Sequence, residues 1–279
     1  LGGASAFIES TLAQIYKKKN ADGSSYGGPA FYMRDALNAR WLGVIFSVLI
    51  IFTYAIGYNM LAAFNLQSTF QVFSFYGDRT PAIIGVILAA LFGAVVIGGA
   101  HRLVKVTGVL VPVMGIIYVA ISLIVLVLNI GNVPAMFAGI FKNAFDFQAI
   151  FGGFAGSCIM FGIKRGLYSN EAGMGSAPNA AATADVSHPV KQGLVQMLSV
   201  FIDTMLICTA TAFMCLSTKI IPQNYLGADG SADAAGYVQA ATASTLGKFG
   251  PIFIAFAMCL FAFTTLIGNY SYWEGCIRF

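Results

Sequence analysis

Few side chains here can do polar chemistry, and they cluster where the sequence is otherwise apolar. Gly152, Gly153, Phe154, Ala155, Gly156 and Ser157 open the stretch FGGFAGSCIMFGIKRGLYSNEAG. Glycine-interrupted backbone at membrane depth is tolerated only where it lines a protein cavity. There a half-helix N-terminus presents free N–H groups to a carboxylate, and freed carbonyls accept a cation or an ammonium group. This run is the candidate substrate site, with room only for a small side chain. Close helix packing competes as an explanation, since glycine-rich faces are common at membrane helix contacts. A second register puts the break at Gly173, Met174, Gly175, Ser176, Ala177 and Pro178.

Two carboxylates stand among apolar neighbours, Glu9 in FIES and Asp203 in FIDT. A carboxylate in hydrocarbon costs several kcal/mol unless paired or wetted, so each must face protein or a cavity, as a structural hydrogen bond or a cation ligand. Asn170 and Glu171 follow Lys164 and Arg165 and fit a gate or loop-ordering role through an ion pair or backbone caps. Thr264 and Thr265 are adjacent hydroxyls midway along an apolar run; a threonine at such depth commonly returns its bond to the i−4 carbonyl. Tyr58 and Asn59 offer polar contact beside an aromatic wall, or ordinary helix packing. The two histidines, His101 and His188, sit at loops without an HExxH or nucleophile–base arrangement, so no enzyme is expected. The five cysteines show no CxxC spacing and read as small hydrophobes rather than ligands or disulfides. A channel lacks its expected filter repeat or charge rings.

The elements that must position these groups are membrane helices. Hydrophobic residues make up 58% of the chain and charged ones 9%, against about 25% charged in a typical soluble domain. The sequence predicts an all-α polytopic protein of the lipid bilayer, with full spans near 41–64, 80–100, 106–130, 147–163, 194–217 and 250–273 and a half-span at 1–16. That half-span and the abrupt end at GCIRF predict a single domain truncated at both ends. With these crossings, eleven Lys and Arg, including Lys17 and Lys164, fall on one side and four on the other. The positive-inside bias makes the Lys17 and Lys164 loops cytoplasmic. The net charge of +4 sits in short loops and does not suggest nucleic acid.

Between spans, DGSSYGGP reads as a turn. Residues 132–147 have helical spacing with Pro134 suited to a first turn, and 217–248 read as a loop followed by one surface helix that could serve as an external lid. Phe52-Thr53-Tyr54-Ala55-Ile56-Gly57 matches Phe263-Thr264-Thr265-Leu266-Ile267-Gly268 at Phe, Thr, Ile and Gly, preceded in each half by FIES and FIDT. The span count makes these copies inverted, the arrangement of transporter repeats with sites at their interface. Glu9 then pairs with Asp203, and Thr53 with Thr264.

The runs GGFAGS, KRGLYSNEAGMGSAPNAAATADVSHPVKQGLV, FIDT and FAFTT resemble the alanine/glycine:cation symporter family, also called the sodium:alanine symporters. The resemblance implies the leucine-transporter-type fold of two five-helix inverted repeats, here incomplete, covering about core helices two to eight. Residues 1–130 would then be the remainder of the first repeat and 131–279 the first part of the second. It implies uptake of alanine or glycine, or alternatively serine or glutamine, coupled to Na+ or H+ at the plasma (inner) membrane. It places the break at Gly152–Ser157 in the sixth core helix and implies that Thr264 and Thr265 ligate Na+ with backbone carbonyls of the first. No other cofactor is implied.

Overall fold

The structure, a computed structural model, describes residues 2–21, 23–97, 99–145, 154–225 and 233–279. Apart from one two-stranded hairpin, the regular elements among them are helical. Apolar sequence in hydrocarbon must satisfy every backbone N–H and C=O internally, and a helix does so within one segment. Four helical stretches are long and apolar enough to cross a membrane: Arg40–Ser68, Lys105–Leu128, Pro189–Leu216 and Phe249–Ile277. Thr80–Val96 is apolar but shorter. Large aliphatic side chains point away from the protein, Ile116 at 70% exposure and Val86 at 69%, as a lipid-facing surface requires.

The chain divides into two compact units, each drawing on both halves of the sequence. Unit 1 takes residues 1–59, 151–206 and 268–279. It contains helix α1 (Gly2–Ile15), the hairpin β1 (Lys18–Lys19) and β2 (Ser25–Tyr26), α2 (Pro29–Leu37) and α3 (Arg40–Ile50) with its π-helical continuation Ile51–Tyr58. Further along come α8 (Phe154–Asn170), α9 (Ala177–Thr183), α10 (Pro189–Ile202) and the last residues of α13 (Phe249–Ile277). The expected turn is real, closed by the Asn20 N–H donating to the Ser24 carbonyl at 2.8 Å. It is followed by a helix that the Gly/Ser/Pro content had hidden: α2 starts at Pro29, whose missing N–H costs nothing in a first turn. Helix α8 runs to Asn170, so Lys164 and Arg165 lie in its final turns rather than in a loop.

Unit 2 takes residues 60–150 and 207–267. It contains α4 (Asn59–Ser68) from its second residue, α5 (Thr80–Val96), α6 (Gly99–Leu128), α7 (Val133–Ala144), α11 (Thr209–Leu216), α12 (Ala234–Leu246) and most of α13. Its core joins Tyr118, Val125, Met214, Phe253, Ile254 and Ala257, with a second cluster of Leu66, Leu88, Ala262 and Leu266. The two connector helices fall where periodicity places them, α7 with Pro134 in its first turn and α12 capped by Asp233 Oδ1, which accepts from the Gly236 N–H at 2.8 Å. Helix α12 is more than a surface strap. Gln239 is 1% exposed, and its amide donates to the Thr69 carbonyl at 2.8 Å.

Both helix pairs that carry the matched motifs run antiparallel. In unit 1, a Cβ on Gly43 would meet the Phe279 ring at 2.7 Å, Tyr54 packs edge-on to Tyr272, and Asn269 bonds Asn59. Numbers rising along α3 therefore fall along α13. Likewise a Cβ on Gly3 would touch Met197, while one on Gly193 would strike Thr11 Oγ1 at 2.2 Å, which sets α1 antiparallel to α10. Ala6, Ala13 and Gly193 are buried, and their small size permits the close approach.

Candidate functional site

The most elaborate polar structure in unit 1 is the turn between α8 and α9. Helical backbone stops at Asn170, and Glu171, Gly173 and Gly175 take positive φ angles of 49°, 80° and 78°. Glycine adopts such angles freely; Glu171 does so at a cost that its side-chain contacts must offset. Ser176 Oγ donates to Glu171 Oε2 at 2.7 Å, and the Tyr272 hydroxyl hydrogen-bonds the same carboxyl. Asn179 Nδ2 donates to the Gly175 carbonyl at 3.0 Å. Ser176 is 0% exposed and Asn179 3%. Polar as it is, this run is part of the core of unit 1, because its residues are small enough to be surrounded.

Aromatic rings wall this turn. Tyr54 stacks on Tyr58 at 4.6 Å, Tyr58 stacks on Tyr168 at 5.6 Å, and the Tyr58 hydroxyl donates to Met174 Sδ at 3.7 Å. Tyr54 and Tyr58 come from the π-helical segment, a wide turn often found at functional positions. Burial pushes the Glu171 carboxyl above the usual carboxylate range; the bonds from Ser176 and Tyr272 pull it partly back, and Asp203 adds to the rise. No ion pair to Glu171 occurs among the described residues. The loop is ordered through hydroxyls rather than through Lys164 or Arg165.

The two motif carboxylates converge on the same stretch. Ser169 Oγ donates to Asp203 Oδ2 at 2.6 Å, and Thr204 Oγ1 donates to Asn170 Oδ1 at 3.0 Å. The Gly173 N–H hydrogen-bonds Glu9, whose other oxygen is buried without a partner. Helix α1 also caps the C-terminus of α9: Gln14 Nε2 donates to the carbonyls of Ala181 and Ala184, and Lys17 Nζ to that of Ala184, at 2.5, 2.9 and 2.9 Å. On the neighbouring surface, Lys18 and Arg34 bind Asp35 at 2.8 and 2.6 Å and draw its carboxyl down to about 2.

The remaining residues singled out from sequence are distributed differently. Gly152 and Gly153 lie outside the described residues, and Phe154, Ala155, Gly156 and Ser157 form the first turn of α8. Asn59 accepts from Asn269 Nδ2 at 2.7 Å, a polar clasp between the antiparallel helices. In unit 2, Thr264 Oγ1 donates to the carbonyls of Leu260 and Phe261 at 2.9 and 3.1 Å, and Thr265 is exposed. Among the described residues no three His, Cys, Asp or Glu side chains gather as a metal cluster.

Unit 2 holds a cavity of about 530 Å³. Phe64, Ile254, Met258 and Phe261 give it apolar walls, and Asn65, Ser68, Tyr118, Thr211 and Asp233 supply polar groups. Tyr118 Oη lies 2.9 Å from Thr211 Oγ1. Sequence reasoning missed this site because its lining is scattered over five separate segments, none with a local motif. The nearest signal was the Gly/Asp/Ser start ahead of α12.

A family model described as the sodium:alanine symporter family matches residues 1–279. The chain belongs to the sodium:alanine symporter family. It is 44% identical over 280 residues to the amino-acid carrier protein AlsT of Bacillus subtilis, covering 100% of this chain and 57% of the relative. It is 43% identical over 279 residues to the probable sodium/glutamine symporter GlnT of the same organism, covering 100% and 56%. With the sodium/alanine symporter AgcS of Methanococcus maripaludis it shares 35% over 288 residues, covering 100% and 61%. The chain therefore spans somewhat over half the length of these relatives. Its family and its apolar helices make it a membrane protein, and its relatives are transporters rather than enzymes.

Proposed function

We propose that the protein imports small neutral amino acids, alanine or glycine, in symport with Na+ or H+ by alternating access. The observation that carries this reading is the antiparallel packing of the helices that bear the repeated motifs, α1 against α10 and the α3 segment against the end of α13, within a chain of this family. Inverted repeats of the leucine-transporter type require that geometry and place their sites where the repeats meet. The substrate's carboxylate and ammonium would be held by backbone at Gly152–Ser157, with Tyr58 and Asn59 nearby in sequence role. Na+ would take oxygen from Thr264 and Thr265, as hard cations favour. For Thr264 this requires its hydroxyl oxygen to use a lone pair while still donating to Leu260, which a hydroxyl can do. The turn at Asn170 and Glu171, with Glu9 and Asp203 tied to it, would form the cytoplasmic gate, and a bias of eleven basic residues against four supports the Lys17 and Lys164 sides being inside at the plasma membrane.

A second reading, glutamine as substrate, is favoured by the 43% identity to a relative named for sodium and glutamine. Uptake of labelled alanine and glutamine into vesicles bearing the full-length protein, with and without a sodium gradient, tests both. Concentration of alanine that requires the gradient is expected. Equilibration without accumulation would indicate a channel, chemical conversion an enzyme, and accumulation of glutamine alone the second reading.

A further inference from the structure

We propose that Glu171 is a proton-binding site: its carboxyl holds a proton while the α8–α9 turn is packed and releases it when the turn loosens. The proposal rests on the gate reading of this turn and adds a ligand to it. Among the described residues the groups that act on the carboxyl are neutral or acidic, while Arg165 acts on Tyr168 beside it. The turn itself contributes Ser176, α13 contributes Tyr272, the π-helical segment Ile51–Tyr58 contributes Tyr54 and Tyr58, α8 contributes Tyr168, and the π-helical segment Asp203–Cys208 that follows α10 contributes Asp203. Glu9 approaches the same turn from α1 through the Gly173 amide. A half-buried carboxylate with no cation among its described neighbours is costly, and the cheapest remedy is a proton.

The geometry suits a protonated acid. Ser176 Oγ donates to Oε2 at 2.7 Å, and the Tyr272 hydroxyl, which also hydrogen-bonds the carboxyl, can accept from it once it is protonated. Ionisation instead calls for donors or water beyond these two hydroxyls, which loosening of the turn would supply. A Cβ on Gly173 would meet nothing within 4 Å, and Glu171, Gly173 and Gly175 all take positive φ. Loosening would also relax Glu171 from its positive φ of 49°, so release of the proton and opening of the turn favour one another. A proton taken up by the packed turn and given up by the open one links acidity to the gate, separately from Na+.

Infrared difference spectroscopy on the full-length protein in lipid tests the proposal without relying on transport. A protonated-carboxyl C=O band is expected at neutral pH, lost in Glu171→Gln and kept in Glu9→Gln and Asp203→Asn. In Ser176→Ala, which removes a donor that favours the ionised form, the band should persist to higher pH than in wild type. Sodium-driven alanine uptake followed from about pH 5 to about pH 8 should vary in wild type and flatten in Glu171→Gln. Absence of the band throughout that range, its survival in Glu171→Gln, or its retreat to lower pH in Ser176→Ala would overturn the assignment. Failure of uptake with the band intact would sink the transport reading alone.

Discussion

Replacing Gly175 and Gly173 separately by alanine isolates the packing that holds the α8–α9 turn. Both glycines have φ near +80°, so each alanine incurs the left-handed penalty of about 1–2 kcal/mol. They differ in surroundings. A Cβ on Gly173 meets nothing within 4 Å, whereas one on Gly175 would lie 2.6 and 2.7 Å from the Phe46 ring and 3.2 Å from Pro29 Cγ. Overpacking of that kind adds about 1–3 kcal/mol, so Gly175→Ala should cost about 2–5 kcal/mol in total. Denaturation of the detergent-solubilised full-length protein would read the difference, and Phe46→Leu should return part of the loss in Gly175→Ala but none in Gly173→Ala. Equal destabilisation by the two alanines would refute the claim that this turn is packed against α2 and α3.

The same unit supplies three further predictions. In a double-mutant cycle, Asn59→Ala and Asn269→Ala should show coupling of about 0.6–1.7 kcal/mol, as membrane hydrogen bonds do; independent effects would remove the clasp between the antiparallel helices. Because Glu171 has a raised folded-state pKa, its contribution to stability is full in acid below the ordinary carboxylate pKa and is lost as pH rises through the folded value. Wild type should therefore lose stability towards alkaline pH, and Glu171→Gln should lack that slope; parallel slopes in denaturant titrations would count against it. Asp35 has the opposite sign, with its pKa drawn to about 2, so its contribution is present above the ordinary carboxylate pKa and fades as pH falls. Its partners are partly exposed, so Asp35→Asn should cost under about 1 kcal/mol at neutral pH and nothing in strong acid, read from the same titrations.

Much of the helical scaffold was legible because lipid imposes long uncharged runs, and α7 and α12 because their apolar spacing and Pro134 or Asp233 mark helix starts. Opposite directions for the motif-bearing helices were legible because spans alternate in direction, and Asn59–Asn269 and Gly193–Thr11 show those helices antiparallel. The buried setting of the α8–α9 turn was not legible: Gly, Ala, Ser and Asn look hydrophilic in sequence, yet small size lets Gly28 pass so near Asn179 that a Cβ would fall 1.8 Å from its Oδ1. Thr264 shows the same ambiguity. Its hydroxyl bonds its own helix, a fate that composition cannot separate from ion ligation. The unit 2 cavity had no local motif, since only folding brings Phe64, Tyr118, Thr211 and Ile254 together.

Sodium-dependent accumulation of labelled alanine by the full-length protein, measured for wild type and Gly153→Leu at matched membrane expression, tests the central claim most directly. A substrate held by backbone in the Gly152–Ser157 run predicts robust accumulation in wild type and none in the leucine variant, whose side chain would fill the space for alanine. Undiminished sodium-driven accumulation in Gly153→Leu would contradict it.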